Sequence, residues 1–146
     1  MAYYAVGIDM VEIERVRRVL ERHPQRFRER VYTEAEAAVS RGRVHDLAAR
    51  FAAKEAVMKA LGTGARGIGW REIEILPDRR GKPLVYLHGR AKTRAQYIGL
   101  VAIDVSLSHS REYAIASVVG VRDSKGEDPW ASRGWLLGRL RERGLL

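Results

Sequence analysis

The chain has 146 residues, of which 27 are Lys or Arg and 18 are Asp or Glu, giving a net charge of +9. That length suits one domain, with room for an appendage, and the charge favours an acidic partner: nucleic acid, anionic membrane, polyphosphate or an acidic protein. The absence of cysteine excludes a disulfide framework, a thiolate nucleophile and cysteine-ligated zinc; with no apolar run near the roughly 18 residues of a membrane span and no signal-peptide pattern, a cytoplasmic protein is expected.

Tyr3 to Ile8 is aromatic and β-branched enough for a strand, with Asp9 leaving its tip. A carboxylate there can ligate a metal or cap the next helix. Val11 to Glu21 carries Ile13, Val16, Val19 and Leu20 at helical spacing, and Arg15, Arg18 and Arg22 fall on one face as a basic stripe. His23-Pro24 interrupts this helix, and Arg26 to Val31 forms another turn or two. Thr33 and Glu36 are spaced as a capping box opening a short helix, which runs into the basic loop Ser40-Arg41-Gly42-Arg43.

Asp46 is placed to cap a long helix ending at Leu61, where Gly62-Thr63-Gly64 is a natural stop. At about 100° per residue, Leu47, Phe51, Met58 and Leu61 form one apolar stripe, and Lys54 falls inside it. A lysine on a buried face is costly unless it is paired or reaches water. Glu55 and Lys59, at i and i+4, flank the stripe and can pair with each other or share a ligand. Gly62 to Gly69 is a glycine-rich loop.

Arg71 to Leu76 alternates as a half-exposed strand, Pro77 to Pro83 has turn chemistry, and Leu84 to Leu87 returns as a hairpin partner. Ala91 to Gly99 reads as a short helix. Val101, Ile103, Val105 and Leu107 alternate along a strand that ends at Ser108-His109-Ser110, and Tyr113 to Val121 is a further strand. The expected fold is α+β: a mostly antiparallel sheet of about five strands packed on one long helix. Residues 1–121 would form the main domain, 122–129 a linker and 130–146 a helical extension weakened by Gly134 and Gly138.

Asp9 and Glu55 are two hard oxygen donors, a set that suits magnesium, with Lys59, Lys54, Arg50, Arg41 and His109 available for phosphate. By spacing alone, the same residues serve as a surface ion pair, a solvated basic face and a plain turn histidine. No GxGxxG after a strand, Walker A, nucleophile elbow or HExxH is present, which disfavours dinucleotide oxidoreductases, P-loop ATPases, serine hydrolases and zinc proteases. A basic module docking RNA or membrane is the competing class, but it would pair its charge with exposed aromatics or a cleaner amphipathic helix.

Three segments together resemble the 4'-phosphopantetheinyl transferases: Gly7 to Ile13 with Arg15; Arg50-Phe51-Ala52-Ala53-Lys54-Glu55-Ala56 with Lys59 to Gly62; and Ser106-Leu107-Ser108-His109 before Tyr113-Ala114. The short chain and the Phe-Ala-Ala-Lys-Glu form are similar to the holo-acyl-carrier-protein synthase branch. The resemblance implies transfer of phosphopantetheine from coenzyme A to a serine of an apo acyl carrier protein in fatty acid synthesis. It further implies Asp9 and Glu55 as Mg2+ ligands and Lys59 as a pyrophosphate contact that assists the leaving ADP. Asp9, directly or through a metal-held water, would be the base, with Glu55 as the alternative. His109, Arg50 and Arg41 with Arg43 would hold nucleotide phosphates, and Gly62, Thr63, Gly64 and Pro83 would line the nucleotide pocket. Arg15, Arg18 and Arg22 would dock the acidic carrier, and active sites would lie between protomers of a homotrimer, with neither nucleic acid nor membrane as partner. A related transferase serving polyketide or peptide carriers fits the same residues. No role follows for the 130–146 tail, and Lys54 suits structural pairing as readily as chemistry.

Overall fold

The computed structural model describes residues 2–146. In chain order it runs β1 (Tyr3–Glu12), α1 (Ile13–Arg22), α2 (Pro24–Val31), α3 (Glu34–Ser40), α4 (Val44–Leu61), β2 (Ile73–Pro77), β3 (Pro83–Leu87), α5 (Gly89–Tyr97), β4 (Leu100–His109), β5 (Tyr113–Arg122) and α6 (Pro129–Glu142). The class is α+β as expected, but the five strands divide. Three form an antiparallel sheet in the order β1-β5-β4, and β2 and β3 form a separate hairpin. The hairpin begins later than its alternation suggests, because Trp70–Glu72 is a 3-10 turn. There the Glu72 carboxylate accepts from the Gly69 and Arg90 amides, which shapes a turn in place of a strand.

Helix α4 lies across β1, and the sequence is built for that close approach. Ala52, Ala53 and Ala56 are fully buried on the helix, and on the strand Gly7 supplies no side chain at all. A Cβ at Gly7 would stand 1.8 Å from the Ala56 carbonyl oxygen, a distance no side chain tolerates. Leu47, Met58 and Leu61 are buried as the stripe requires, but Ala48, Ala49 and Val57 are buried too, so α4 is the centre of the fold and not a one-sided helix. Gly62 ends it in the left-handed conformation, φ 75°, donating back to Lys59 and Met58.

Several local expectations need correction. Strand β1 continues to Glu12, so Asp9 sits inside the strand and not at its tip, with the alternation carrying on through Met10 and Val11. Asp46 does not cap α4, whose N-cap is Arg43; its carboxylate lies in the first turn, paired with the Arg43 guanidinium at 2.5 Å. Val101 is turned outward by an irregularity in the β4–β5 pairing between Leu100 and Ala102, which breaks the simple alternation there. The Thr33 capping box forms as read, with Thr33 Oγ1 accepting from the Glu36 amide and Glu36 from the Thr33 amide.

Lys54 has its partner. It is wholly buried, and its Nζ donates to Glu36 Oε1 at 2.6 Å and to the carbonyls of Trp70 (2.9 Å) and Ile73 (2.5 Å). The other Glu36 oxygen accepts the Ile75 amide at 3.0 Å. One ion pair therefore ties α3, α4 and the entry to β2 together. Burial pushes the lysine down from its ordinary value and Glu36 pulls it back up.

Candidate active site

The crossing at Gly7 decides where the chemistry can sit. Asp9 is two residues further along β1, on the same face as Gly7, and Glu55 and Lys59 occupy successive turns of α4 beside Ala56. The three side chains meet over the strand. Lys59 Nζ lies 3.2 Å from Asp9 Oδ1 and donates to the Ile8 carbonyl at 2.8 Å, so it reaches across to the strand instead of closing an i,i+4 pair with Glu55. Partial burial, followed by the Asp9 charge and a hydrogen bond with Asp9, raises the Glu55 carboxyl above its ordinary value; Lys59 and Arg15 pull it the other way.

Two carboxylates in contact with one another hold their second negative charge at a cost, and a divalent cation relieves it. Among the described residues no group of three or more His, Cys, Asp or Glu side chains stands close enough to hold a metal. A two-carboxylate site of this kind is too sparse for a closed zinc site and fits magnesium, which keeps waters and takes further oxygens from a phosphate substrate.

Glu55 is shared by two clefts. One, of about 200 Å³, runs toward α1 and is lined by Asp9, Arg15, Val19, Phe27 and Phe51. The other, of about 170 Å³, runs toward the glycine-rich loop and is lined by Lys59, Gly64 and Trp70. Sequence reading missed Phe27, Phe51 and Trp70 as wall residues. Phe51 stacks on Trp70 with ring centroids 4.8 Å apart and meets Phe27 at 6.1 Å, forming an aromatic partition beneath Glu55.

The remaining expected residues do not all gather here. Arg50 is one and a half turns from Glu55, where its guanidinium donates to the Ile75 carbonyl at 3.0 Å. With Pro83 it lines a larger cleft of about 660 Å³, together with Arg43, Lys82 and Leu107, and none of these five lines either of the clefts that share Glu55. His109, at the end of β4, sits two strands from β1 in line with Val11, its ring edge-on to His45 at 5.6 Å. Arg41 is exposed in the α3–α4 turn in the left-handed conformation, φ 50°. Gly62 and Thr63 follow Lys59 by three and four residues at the end of α4, and Thr63 Oγ1 donates to the Gly64 carbonyl. On α1, Arg18 shares Glu14 with Arg17, Arg15 faces the cleft that holds Asp9, and Arg22 closes the helix in solvent.

The family model for the 4'-phosphopantetheinyl transferase superfamily matches residues 5–118, which include all three resembling segments and the Asp9, Glu55 and Lys59 cluster. The chain belongs to that superfamily of transferases. It is 51% identical over 122 residues to a holo-acyl-carrier-protein synthase of Herpetosiphon aurantiacus, an alignment covering 79% of this chain and 96% of the relative. Its fold is similar to that of the Helicobacter pylori holo-acyl-carrier-protein synthase in complex with coenzyme A, with TM-score 0.73 and 31% identity over 79% of this chain and 98% of that one. The acyl carrier protein synthase of Plasmodium yoelii with ADP bound matches with TM-score 0.77 and 29% identity, over 85% of this chain and 99% of that one.

Proposed function

We propose that the chain transfers 4'-phosphopantetheine from coenzyme A to the serine hydroxyl of an apo acyl carrier protein in fatty acid synthesis in the cytoplasm, yielding holo carrier and 3',5'-ADP. The observation that carries this reading is the meeting of Asp9, Glu55 and Lys59 where α4 crosses β1, in a chain 51% identical to a synthase of that name.

The serine oxygen attacks the coenzyme A phosphorus that bears the pantetheine arm, and the bond from that phosphorus to the 3',5'-ADP oxygen breaks. Asp9 accepts the serine proton, with Glu55 as the alternative acceptor, a role that the closeness of the two carboxylates supports. Lys59, held by the Ile8 carbonyl and Asp9 within one turn of Glu55, places an ammonium against the oxygen on which charge develops as ADP leaves. Asp9 and Glu55 would hold Mg2+, which supplies charge neutralisation at the pyrophosphate.

The single chain keeps Asp9, Glu55 and Lys59 apart from the Arg50, Pro83 and Lys82 cleft. This separation supports an active site completed between copies: one protomer contributes the carboxylates and Lys59, and its neighbour contributes Arg50, Pro83 and His109, with Arg41 at the rim, to the nucleotide. Gly62 to Gly64 close the nucleotide pocket beside Lys59. The outward face of β1 favours the same assembly, since Tyr4, Val6, Ile8 and Met10 are each between 59% and 68% exposed in one row. An isolated sheet face of this kind is a contact surface, and a homotrimer is the assembly we assign to it. The α1 arginines Arg15, Arg18 and Arg22 flank the entrance and suit an acidic carrier.

Incubation with coenzyme A, Mg2+ and apo acyl carrier protein, followed by intact mass of the carrier, tests the reaction. The carrier gains the mass of phosphopantetheine, and chelator or Glu55→Gln abolishes the gain. A carrier left at its apo mass by the unaltered enzyme, or a gain indifferent to both changes, overturns the assignment.

A further inference from the structure

Helix α6 lies beyond the span matched by the family model, which ends at residue 118. It is well formed: Asp128 caps it through the Trp130 amide, Pro129 opens it, and Arg133 lies over the Trp130 ring at 5.8 Å. Yet none of its residues is buried, and among the described residues it packs extensively against no other element. Trp130 and Trp135 are 74% and 69% exposed, and Leu136, Leu145 and Leu146 are exposed as well. Since an aromatic side chain can bury about 150–250 Å², the two indoles and these leucines present as much bare apolar surface as the largest patch on a typical monomer, about 300–600 Å².

We propose that α6 is an assembly strap that packs against a neighbouring copy of the chain, next to the outward sheet face; this rests on the assembly reading given above. Three observations select that occupant. First, the apolar residues are not confined to one side. At about 100° per residue Trp130, Leu137, Leu140 and Leu136 span an arc of about 120° with Arg133 among them, and Trp135 lies about 100° beyond Leu136 with Arg139 between, so a flat membrane surface that covered the leucines would take Arg133 down with them and strand Trp135. A protein groove that encloses the helix covers them all, while the arginine heads reach solvent over their stems. Second, the helix leaves β5 at Arg122, which pairs with Tyr3 and Leu100, at the end of the sheet away from Glu12, His109 and the α1 arginines. Asp9 is six residues from that end, about 20 Å by strand rise, so the chain sets out toward α6 from the end of the sheet far from the carrier entrance. Third, exposed apolar side chains of the body cluster at this same end: Tyr4, Val6, Tyr97, Val101 and Val119. A stable association buries about 800 Å² per partner. The sheet row and the helix together offer more apolar surface toward that size than either does alone.

Sedimentation velocity on the full chain and on the double variant Trp130→Ala/Trp135→Ala, over a concentration series, tests the strap. Circular dichroism should be unchanged, because neither indole touches the core. The expected result is a midpoint of dissociation displaced upward by at least ~10-fold in the variant, as for buried aromatic anchors, with a blue shift of tryptophan emission on assembly of the unaltered chain. Full chain and variant assembling at the same concentration would overturn the strap while leaving the assembly intact. A chain that stays monomeric throughout would overturn both. Binding of the full chain to phosphatidylglycerol vesicles, lost in the variant while assembly stays the same, would also overturn it in favour of a membrane.

Discussion

Two neighbouring lysines on α4 have opposite duties. Lys54 points into the protein and is fully buried against Glu36, whereas Lys59 points over β1 to Asp9 and is half exposed. Removing one partner of a buried pair leaves a bare charge, so Lys54→Met should cost roughly 3–5 kcal/mol, read from denaturant midpoints, with the folded fraction retaining turnover. Lys59→Ala should leave the midpoint almost unmoved and cut kcat by ~100-fold or more, as expected for loss of a group that stabilises transition-state charge. A Lys54→Met protein of unchanged stability would show that the buried pair carries no structural weight. The sequence made the need for a Lys54 partner legible, since an amine in an apolar stripe demands one. It also made Glu36 legible as a capping residue, but connecting the two required the tertiary contact between α3 and α4, which no local pattern encodes.

The Glu55 carboxyl adds a pH dependence. Its pKa is raised in the folded chain by burial, then by Asp9, so the stability it contributes is fully present below its unfolded value and is lost as pH rises through the folded value. At neutral pH the folded state therefore carries a charge repulsion that a bound cation removes. Mg2+ should raise the melting temperature at pH 7 more than at pH 5, and the difference should shrink in Glu55→Gln. Equal Mg2+ stabilisation at both pH values would contradict a metal held by this carboxylate pair.

At the scale of elements, the site depends on how closely a helix and a strand approach. Gly7 and Ala56 are in contact through backbone and no other residue fits at Gly7, so Gly7→Ala must push β1 from α4. Overpacking of this kind costs about 1–3 kcal/mol or more, and because Asp9 moves with the strand, kcat should fall well beyond what the loss of folded protein explains. Activity retained in proportion to folded protein would show that the crossing does not set the site. The apolar stripe made a buried face of α4 legible, but not the close approach at Gly7 and Ala56, which only the crossing of the two elements creates. The division of the strands into three and two did not follow from alternation, which reports which face is buried but not which strands pair. Asp9 was misplaced at a strand tip for a similar reason: the apolar and polar alternation runs past it to Glu12.

On α1, Arg15 faces the Asp9 cleft and Arg18 is shared with Glu14. Reversing Arg15 and Arg18 to Glu should raise the Michaelis constant for the carrier with little change in kcat, and the effect should fade as salt screens it over a Debye length of about 10 Å at 0.1 M. A Michaelis constant unmoved at low salt would remove α1 from the docking surface.

Across the whole molecule, one chain presents separate clefts, the proposed halves of an active site, and an exposed apolar sheet face. In the sequence, residue types offered the candidate parts of a phosphoryl-transfer site and the family resemblance singled them out, but neither showed that Arg50 and Pro83 stand apart from Glu55, since that follows from the direction each side chain leaves α4 and from the separate β2–β3 hairpin. In the proposed assembly the halves of neighbouring copies make one active site. Mixing two inactive variants measures this directly: Glu55→Gln destroys the carboxylate half, Arg50→Ala the nucleotide half. After subunit exchange, phosphopantetheine transfer to the carrier should return, because some interfaces in the mixed assemblies join two unaltered halves. Mixtures that exchange subunits and stay as inactive as either variant alone would contradict it.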